Sequence, residues 1–408
     1  MSFRLLHTSD WHLGRRLYGR SRVAEQAAFL DWLVAQLDQA RIDLLIVSGD
    51  IFDSSTPSHR CQALYYGFLH QAARTRCRHI VIVGGNHDSP ALLEAPKALL
   101  ARLNVHVVGQ AAEALENEVL TLHHPAGNAE AVVCAVPYLR DRDVRTSSAG
   151  ESVADKQRRL LSGIEAHYRR VFALARERRK ALGNKLPLIA TGHLFAAGGK
   201  TQAEDGVREL YIGSLVRVEA TLFEGVDYLA LGHLHSPQRV AGAEHLRYSG
   251  APLAVSFAEA RQAKCVLTCE WSEMDRMIDE LAVPSFQPLE RIQGDLPEVQ
   301  AVIEARVAAG RSLWVEVVYT GQEIRSDLVD TLQSLAADSP VEILRIRNRR
   351  RSAQLLRRAE MADDLEHLTP GEVFARCLDA HSVEAQERPA LNAMFEKVLQ
   401  DIRENSVD

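Results

Sequence analysis

Five short apolar runs that each end abruptly in polar residues constrain the fold of this chain more than any other feature. The runs at residues 3–7, 42–47 and 80–83 alternate with stretches in which apolar residues recur every three or four positions, a period typical of amphipathic helices. Two more runs, at residues 186–190 and 228–231, follow a long helical pattern at residues 154–182. This alternation predicts buried strands in a layered α/β fold. Because ligands bind outside the carboxyl ends of such strands, the five polar loops are expected to meet in one cleft.

These five loops carry carboxylate, imidazole and amide side chains in a fixed order. They are Asp10-Trp11-His12, Gly49-Asp50-Ile51-Phe52-Asp53, Gly85-Asn86-His87-Asp88, Gly192-His193 and Gly232-His233-Leu234-His235. Such donors suit divalent ions such as Mn, Fe or Zn, whereas structural zinc favours thiolates, and no cysteine belongs to the set. Seven ligands exceed the need of one ion and match two ions that share a carboxylate, for which Asp50 is the natural candidate.

The spacing within the loops adds two expectations about the backbone. Asp10 and His12 are two residues apart, so both side chains lie on the same side of an extended segment and can bind one ion. A glycine directly precedes four of the ligands, where a sharp turn at a strand end often needs torsions that a β-carbon disfavours. These glycines are Gly49, Gly85, Gly192 and Gly232.

The 408 residues exceed what one hydrophobic core usually spans, which predicts a large domain and at least one smaller one. No apolar run approaches the roughly 20 residues that cross a bilayer. Residues 1–12 lack the cationic and apolar regions of an export signal, so we expect a cytoplasmic protein without a membrane segment. The six cysteines show no zinc-site spacing and are expected to be reduced thiols, mostly buried.

Beyond about residue 284 the sequence changes in character. Several prolines and a glycine precede a predicted order of helix (299–309), strand (313–318), helix (326–335) and strand (341–346), which indicates a small α/β unit. After residue 369 the pattern predicts two short helices with one apolar stripe each. Such helices either dock on the body of the protein or bind a partner, and we favour the partner.

The ordered polar set resembles the motifs D-x-H, G-D-x-x-D, G-N-H-D/E, G-H and G-H-x-H of the calcineurin-like metallophosphoesterase superfamily, across residues 10–235. Over essentially its whole length, the chain resembles the bacterial SbcD family, which includes the opening LHTSDWHLG at residues 6–14. SbcD is the nuclease subunit of the SbcC–SbcD complex. The resemblance implies an αββα four-layer sandwich at residues 1–280, a smaller α/β capping domain at 285–345 that helps to hold DNA, and a C-terminal helical segment at 369–403.

The resemblance also implies roles for individual residues. One ion would be bound by Asp10, His12, Asp50 and His235, and the other by Asp50, Asn86, His193 and His233. His87 would face the scissile phosphate without binding metal, and Asp53 would orient the His87 ring. Since imidazoles must be neutral to bind metal, activity is expected to fall below about pH 6.

As implied by the family, the chain would be a manganese-dependent hydrolase of DNA repair, recombination and replication. It would act as a 3′ to 5′ exonuclease on double strands and as an endonuclease on single strands and hairpins. Its C-terminal helices would bind the ATPase SbcC, and a homodimer within that complex is expected. Consistently, the chain has no G-x-x-x-x-G-K-[ST] phosphate loop of its own.

Two other interpretations stay open at this point. The first is a phosphatase with the same metal core that acts on a small-molecule or protein phosphoester. The second is a DNA tether without catalysis, in which the metal site is structural. The extra domain, the arginines and the tail favour the nuclease over the phosphatase, and the presence of His87 beside a full ligand set favours it over the tether.

Arginines cluster in this mildly acidic sequence, whose formal net charge is −6. We expect two of the clusters to contact DNA phosphates, without reading base sequence. They contain Arg16, Arg20 and Arg22, and, within the run at residues 345–351, Arg347, Arg349 and Arg350. Solvated surface charge is the alternative for each cluster taken alone.

Overall fold

The computed structural model describes residues 2–145, 151–197, 218–272, 276–321, 327–348, 370–380 and 388–404. The chain divides into two compact units. The first comprises Met1–Val318 and Arg325–Ile346, and the second comprises Tyr319–Ile324 and Arg347–Asp408. Arg349 and Arg350, which are predicted to contact DNA, lie outside the described residues.

Two six-stranded mixed sheets form the body of the first unit. The first sheet has the order β14-β13-β1-β4-β5-β6, where β1 is Phe3–Thr8, β4 Leu44–Ser48, β5 His79–Val83, β6 Val105–Val108, β13 Cys265–Trp271 and β14 Arg276–Ala282. The second has the order β11-β12-β10-β9-β8-β7, where β7 is Val119–His123, β8 Ala129–Cys134, β9 Leu188–His193, β10 Tyr228–Gly232, β11 Gln238–Val240 and β12 Ala243–Tyr248. The five predicted strands are β1, β4, β5, β9 and β10, and all five are confirmed.

Helices cover the outer faces of both sheets. On the first sheet lie α1 (Val23–Gln39) and α2 (His59–Ala72), whose Phe29 and Tyr65 are buried against it. On the second lies α6 (Val153–Ala181), whose Tyr168 and Phe172 are buried in the corresponding core. Ser58 caps α2 and Ser152 caps α6 by accepting backbone N–H groups of the first turn, which is why these helices begin there.

A third apolar layer fills the space between the sheets, with Leu5, Ile46, Val133 and Tyr228 almost fully excluded from solvent. These residues lie on strands buried on both faces, which explains the continuous apolar runs of the sequence. Helix, sheet, sheet and helix thus form the predicted four-layer αββα sandwich. Short helices α3 (Pro90–Glu94), α4 (Lys97–Leu100) and α5 (Asp141–Val144) lie in its loops.

A smaller three-stranded sheet, β15-β16-β17, follows the sandwich within the same compact unit. Its elements are β15 (Leu289–Gly294), α7 (Leu296–Ala308), β16 (Leu313–Tyr319), α8 (Leu328–Ala336) and β17 (Val341–Asn348). The predicted helix, strand, helix and strand are confirmed, and β15 is an additional strand. A hairpin of β2 (Arg16–Leu17) and β3 (Arg20–Ser21) contributes Leu17 to a small cluster with Trp314 of β16 and Phe257.

In the second compact unit, α9 (Pro370–Ala380) and α10 (Arg388–Glu404) correspond to the two predicted tail helices. The rings of Phe374 and Phe395 stack at 4.1 Å, which joins the two helices.

The six cysteines are free and mostly buried, as the sequence predicts: five are buried, and Cys377 is exposed. Among the described residues, none of the helices combines the length and the apolar character needed to span a membrane.

Candidate metal centre

The loops that follow β1, β4, β5, β9 and β10 meet at one end of the sandwich, as the sequence predicts. Backbone hydrogen bonds join the first two loops, because the Asp10 N–H donates to the Gly49 carbonyl and the His12 N–H donates to the Asp50 carbonyl, each at 3.0 Å. The His233 N–H donates to both carboxylate oxygens of Asp10, at 3.0 and 3.1 Å. The two halves of the chain are therefore tied together at the candidate site itself.

Four of the predicted ligands adopt left-handed backbone torsions. The φ angles are 54° at Asp10, 45° at His12, 50° at Asp50 and 98° at His233. The expectation of an extended Asp10-to-His12 segment is therefore wrong, although both side chains do reach the same place. Non-glycine residues in this region cost about 1–3 kcal/mol each and persist where the surrounding structure holds them.

The four glycines before the ligands serve two different purposes. Gly49 has a φ of 86°, which confirms the expected torsion. For the other three glycines the expectation is wrong, because close approach and not a positive φ excludes a side chain. A β-carbon at Gly85 would overlap Asp50 Oδ1, and one at Gly232 would overlap the Ser48 carbonyl. At Gly192 the obstacle is the Tyr168 hydroxyl, 2.6 Å away.

One group of donors consists of Asp10, His12 and His235, whose ligand atoms lie within 4.8 Å of one another. The Nε2 atoms of His12 and His235 are 3.1 Å apart. His12 Nε2 is also 3.7 Å from Asp50 Oδ2. The side chains of Asp10, His12, His235 and Asp50 are all buried, and none of these residues is a lysine or an arginine.

A second group surrounds Asn86. Its Oδ1 lies 2.9 Å from His193 Nε2 and 3.2 Å from His233 Nδ1. Asp50 Oδ2 lies 3.4 Å from His193 Nε2, and the same oxygen faces His12 in the first group. Asp50 therefore stands between the two groups, where a bridging carboxylate is needed.

The hydrogen bonds of His193 test whether these residues fit a cation. Its Nδ1 donates to the Ser48 carbonyl at 2.9 Å, so in the neutral ring Nε2 carries a lone pair. That lone pair points at Asn86 Oδ1 and Asp50 Oδ2, which are also acceptors. Three acceptors that face one another need a cation between them, either a proton or a metal ion. The donor set therefore fits divalent metal ions.

The pKa values in the site diverge because the groups are buried and close together. Burial opposes charge on His193, but the Asp50 carboxylate outweighs it and raises the His193 pKa to about 9. Burial likewise opposes charge on Asp50, yet His193 holds the Asp50 pKa well below its usual range. Burial raises the pKa of Asp10 to about 7 and lowers that of His233 to about 3.

His87 and Asp53 lie at the edge of the first group, but their contact differs from the expected one. His87 Nδ1 donates to the backbone carbonyl of Asp53 at 2.9 Å. The Asp53 carboxylate instead faces His12 Nδ1 at 3.4 Å and Arg15 Nη1 at 3.1 Å. The expected interaction between the Asp53 carboxylate and the His87 ring is therefore replaced by a contact through the backbone.

The structure adds residues to which the sequence patterns assign no role. The buried Asp88 carboxylate accepts the N–H groups of Ile51, Phe52 and Gly85, and so joins the second and third loops. Its place in the third motif is visible in the sequence, but its partners are not. The buried Lys264, paired with Glu259, donates to the His235 carbonyl at 3.3 Å, and no sequence signal indicates this contact.

The arginines predicted to contact DNA differ in exposure. Arg22 is 3% exposed, and its guanidinium binds Glu25 and the Ala254 carbonyl, so it is not available to phosphates and its predicted role is wrong. Arg16 and Arg20 are exposed on the hairpin, where Arg20 pairs with Glu342. Arg347 is partly exposed at the end of β17.

Two family models match parts of the chain. Residues 3–237 match the model of the calcineurin-like phosphoesterases, and residues 285–382 match the type 5 capsule protein repressor C-terminal domain. The SbcD subunit of the SbcCD nuclease from Escherichia coli K12 is 36% identical over 399 residues, which are 97% of this chain and 98% of that protein. The SbcD subunit from Rhodobacter capsulatus is 34% identical over 390 residues, 91% of this chain and 93% of that protein. A solved dimetal phosphatase from Danio rerio aligns with a TM-score of 0.40 and 12% identity, over 69% of this chain and 97% of that chain.

Proposed function

The chain belongs to the SbcD family within the calcineurin-like phosphoesterases, and on that premise we propose that it is a nuclease whose metal centre hydrolyses the phosphodiester bonds of DNA. The observation that carries the proposal is the placement of Asp50 Oδ2 between two groups of imidazole, carboxylate and amide donors. We infer two divalent ions at these groups, whose mixed nitrogen and oxygen donors suit Mn, Fe or Zn. Of these ions we propose Mn²⁺, because the family resemblance implies it.

Different residues of the site would have different roles in hydrolysis. When bound, two divalent ions would supply Lewis-acid charge that activates water and polarises the scissile phosphate. Asp10, His12 and His235 would hold one ion, Asn86, His193 and His233 would hold the other, and Asp50 would serve both. The left-handed loops fix these donors before substrate arrives, so little reorganisation is needed.

His87 is the candidate for contact with the substrate. Because its Nδ1 donates to the Asp53 carbonyl, Nε2 is the ring atom that remains to face a phosphate oxygen. Its side chain keeps 9% of its surface exposed, against 2% for His12 and 0% for His193. Since Nδ1 already carries a proton, Nε2 can donate a hydrogen bond to developing charge, or a proton to the leaving oxygen, only when both ring nitrogens are protonated.

We propose the family's activities and organisation for this chain, in the cytoplasm. These activities are 3′ to 5′ exonuclease cleavage of double strands and endonuclease cleavage of single strands and hairpins. The family match that begins at residue 285 supports a capping domain at 285–345 after a nuclease domain at 1–280. The exposed Arg16 and Arg20 and the partly exposed Arg347 support contact with DNA phosphates.

Two surfaces support the proposed assembly with other chains. For the ATPase partner SbcC, we propose the C-terminal helices at 369–403, where α9 and α10 are held by the Phe374–Phe395 stack and Met394 is 68% exposed. For a homodimer, we propose the region of α4, where Leu99 is 69% and Leu103 47% exposed.

The decisive experiment is cleavage of linear duplex DNA by the purified chain with Mn²⁺, labelled at either the 3′ or the 5′ end, with and without SbcC and ATP. We expect Mn²⁺-dependent degradation that SbcC and ATP strengthen, with 3′-end label released first. Asp50→Ala should abolish it. Intact DNA beside rapid hydrolysis of a phosphomonoester would favour the phosphatase instead.

His87→Gln tests the division of roles within the site. We expect this variant to bind Mn²⁺ as the wild type does and to cut DNA about 10²- to 10⁴-fold more slowly. This factor is the usual rate enhancement from a positioned proton donor or acceptor. Mn²⁺ binding measured by calorimetry provides the control. A His87→Gln protein with wild-type cleavage would remove this residue from the chemistry.

A further inference from the structure

The side chain and the main chain of Asp53 contact two different histidines. Carboxylate Oδ1 lies 3.4 Å from His12 Nδ1, while the backbone carbonyl accepts a hydrogen bond from His87 Nδ1 at 2.9 Å. The two contacts can be separated by experiment, because a substitution at Asp53 changes the first and leaves the carbonyl of the second in place.

The contact with His12 determines which ring nitrogen faces the metal centre. His12 Nδ1 is buried and, among the described residues, has no hydrogen bond of normal geometry, so the Asp53 carboxylate at 3.4 Å acts on it by charge. That negative charge favours the ring form with the proton on Nδ1 and the lone pair on Nε2. His12 Nε2 faces His235 Nε2 at 3.1 Å and Asp50 Oδ2 at 3.7 Å, which is the interior of the first donor group. The Asp53 carboxylate therefore selects the ring form in which His12 can bind an ion.

His193 shows what is specific to this arrangement. Its Nδ1 donates at 2.9 Å to the neutral carbonyl of Ser48, whereas His12 Nδ1 faces the Asp53 carboxylate at the longer distance of 3.4 Å. The carboxylate therefore acts on His12 through its negative charge, which increases the electron density on the opposite ring nitrogen. The two donor groups thus differ in how their histidines are held, with a charged acceptor behind His12 and a neutral one behind His193.

Arg15 fixes the position of this carboxylate. The Asp53 side chain is 33% exposed, so on its own it is able to turn toward solvent. Arg15 Nη1 binds the same Oδ1 at 3.1 Å, and the Arg15 N–H donates to the His12 carbonyl at 2.9 Å. The guanidinium is thereby held beside the loop whose histidine the carboxylate contacts.

We propose that Asp53 is a positioning residue for His12, and that Arg15 is a positioning residue for Asp53. The inference rests on the metal centre of the proposed function, but it concerns metal affinity and is independent of DNA as the substrate. It moves the role of the Asp53 side chain from His87, where the sequence placed it, to a metal ligand.

The test is calorimetric titration of the full chain with Mn²⁺. We expect Asp53→Ala to weaken one of two sites about 10- to 100-fold, the usual effect of removing a carboxylate behind a ligand histidine. Asp53→Asn should fall between Asp53→Ala and the wild type, because its amide oxygen can face Nδ1 as a neutral acceptor but carries no charge. Arg15→Gln should weaken the same site by a smaller factor.

Asp141→Asn provides a matched control, since Asp141 also pairs with an arginine, Arg145, on an exposed segment away from the donors. Its Mn²⁺ affinities should equal those of the wild type. Cleavage by Asp53→Ala should recover as Mn²⁺ is raised, whereas cleavage by His87→Gln should not. This difference separates a positioning residue from one that contacts the substrate.

Several outcomes would overturn the inference. Unchanged affinity at both sites in Asp53→Ala would refute it, and so would equal weakening of both sites with a lowered melting temperature, which indicates a general structural role. An Arg15→Gln protein with normal Mn²⁺ binding but weaker DNA binding would refute the role of Arg15. A wild-type chain that binds Mn²⁺ without cutting DNA would refute the nuclease and leave this inference standing.

Discussion

The surroundings of His193 predict that metal binding releases a proton. Without an ion, His193 Nε2 faces two acceptors, Asn86 Oδ1 and Asp50 Oδ2, and the Asp50 charge raises the His193 pKa to about 9 despite burial. Between the ordinary value of 6.5 and about 9, the folded ion-free chain therefore holds a proton that a free imidazole would have lost. An ion that takes the Nε2 lone pair must displace it.

The magnitude follows from this pKa. At pH 7.5 His193 is almost fully protonated, so binding should release about one proton, and the apparent Kd should fall about tenfold per pH unit from about pH 7 to about pH 8.5. The rise of the His193 pKa from 6.5 to about 9 corresponds to a free energy of about 3 kcal/mol. Asp10, with a pKa raised to about 7, adds a second proton toward lower pH, whereas His233, with a pKa of about 3, adds none. At limiting metal, activity should therefore decline well above the pH of about 6 expected from free imidazoles.

The assay is titration with Mn²⁺ at pH 7.5 in three buffers of different ionisation enthalpy, whose slope gives the number of protons released. His70→Gln, at an exposed position on α2, should keep the wild-type slope, and His193→Gln should lose most of it. Because the folded pKa of His193 is raised, its stabilisation of the ion-free chain is complete below about pH 6.5 and lost as pH rises through about 9. A slope near zero with a pH-independent Kd would refute the reasoning.

Two further predictions concern the support of the site. Gly85→Ala should abolish Mn²⁺ binding, because its β-carbon would overlap Asp50, while Gly67→Ala, where a β-carbon meets nothing within 4 Å, should bind normally in the same titration. Lys264→Met should lower the free energy of unfolding in urea by about 3–5 kcal/mol, because it leaves the buried Glu259 without its cation. The double variant Lys264→Met/Glu259→Leu should recover most of that loss, and no recovery would mean that the ion pair is not the source.

The sequence predicted the strands that carry the site better than the strands that complete the sheets. The sequence of β4, Leu44–Ser48, is almost one continuous apolar run, because this strand is buried on both faces. β14, Arg276–Ala282, has exposed and half-buried residues along an antiparallel edge, so no apolar run revealed it. The αββα layers were therefore supplied by the family resemblance, whereas the five ligand-bearing strands could be read from local pattern.

Contacts between distant residues account for most of the site that could not be predicted. Arg22 appeared available for DNA, but one of its partners is the carbonyl of Ala254, 232 positions away. The Asp53 carboxylate was assigned to His87 because the motif order fixes which residues gather, and not which atoms meet. Local periodicity carries no information about such pairings.

The same long-range contacts explain why proton displacement, and not loop ordering, should be the main free-energy cost that opposes metal binding. The left-handed turns at Asp10, His12 and Asp50 are fixed by backbone hydrogen bonds between the first two loops, and the Asp88 carboxylate holds the second loop to the third. These bonds join loop to loop and do not involve the His193 side chain, so they are the same whether a proton or a metal ion lies at Nε2. The strain of the turns is thus sustained by the fold itself. What the incoming ion must change is the charge state of His193 and, toward lower pH, of Asp10, which is why pH should set the metal affinity of this centre.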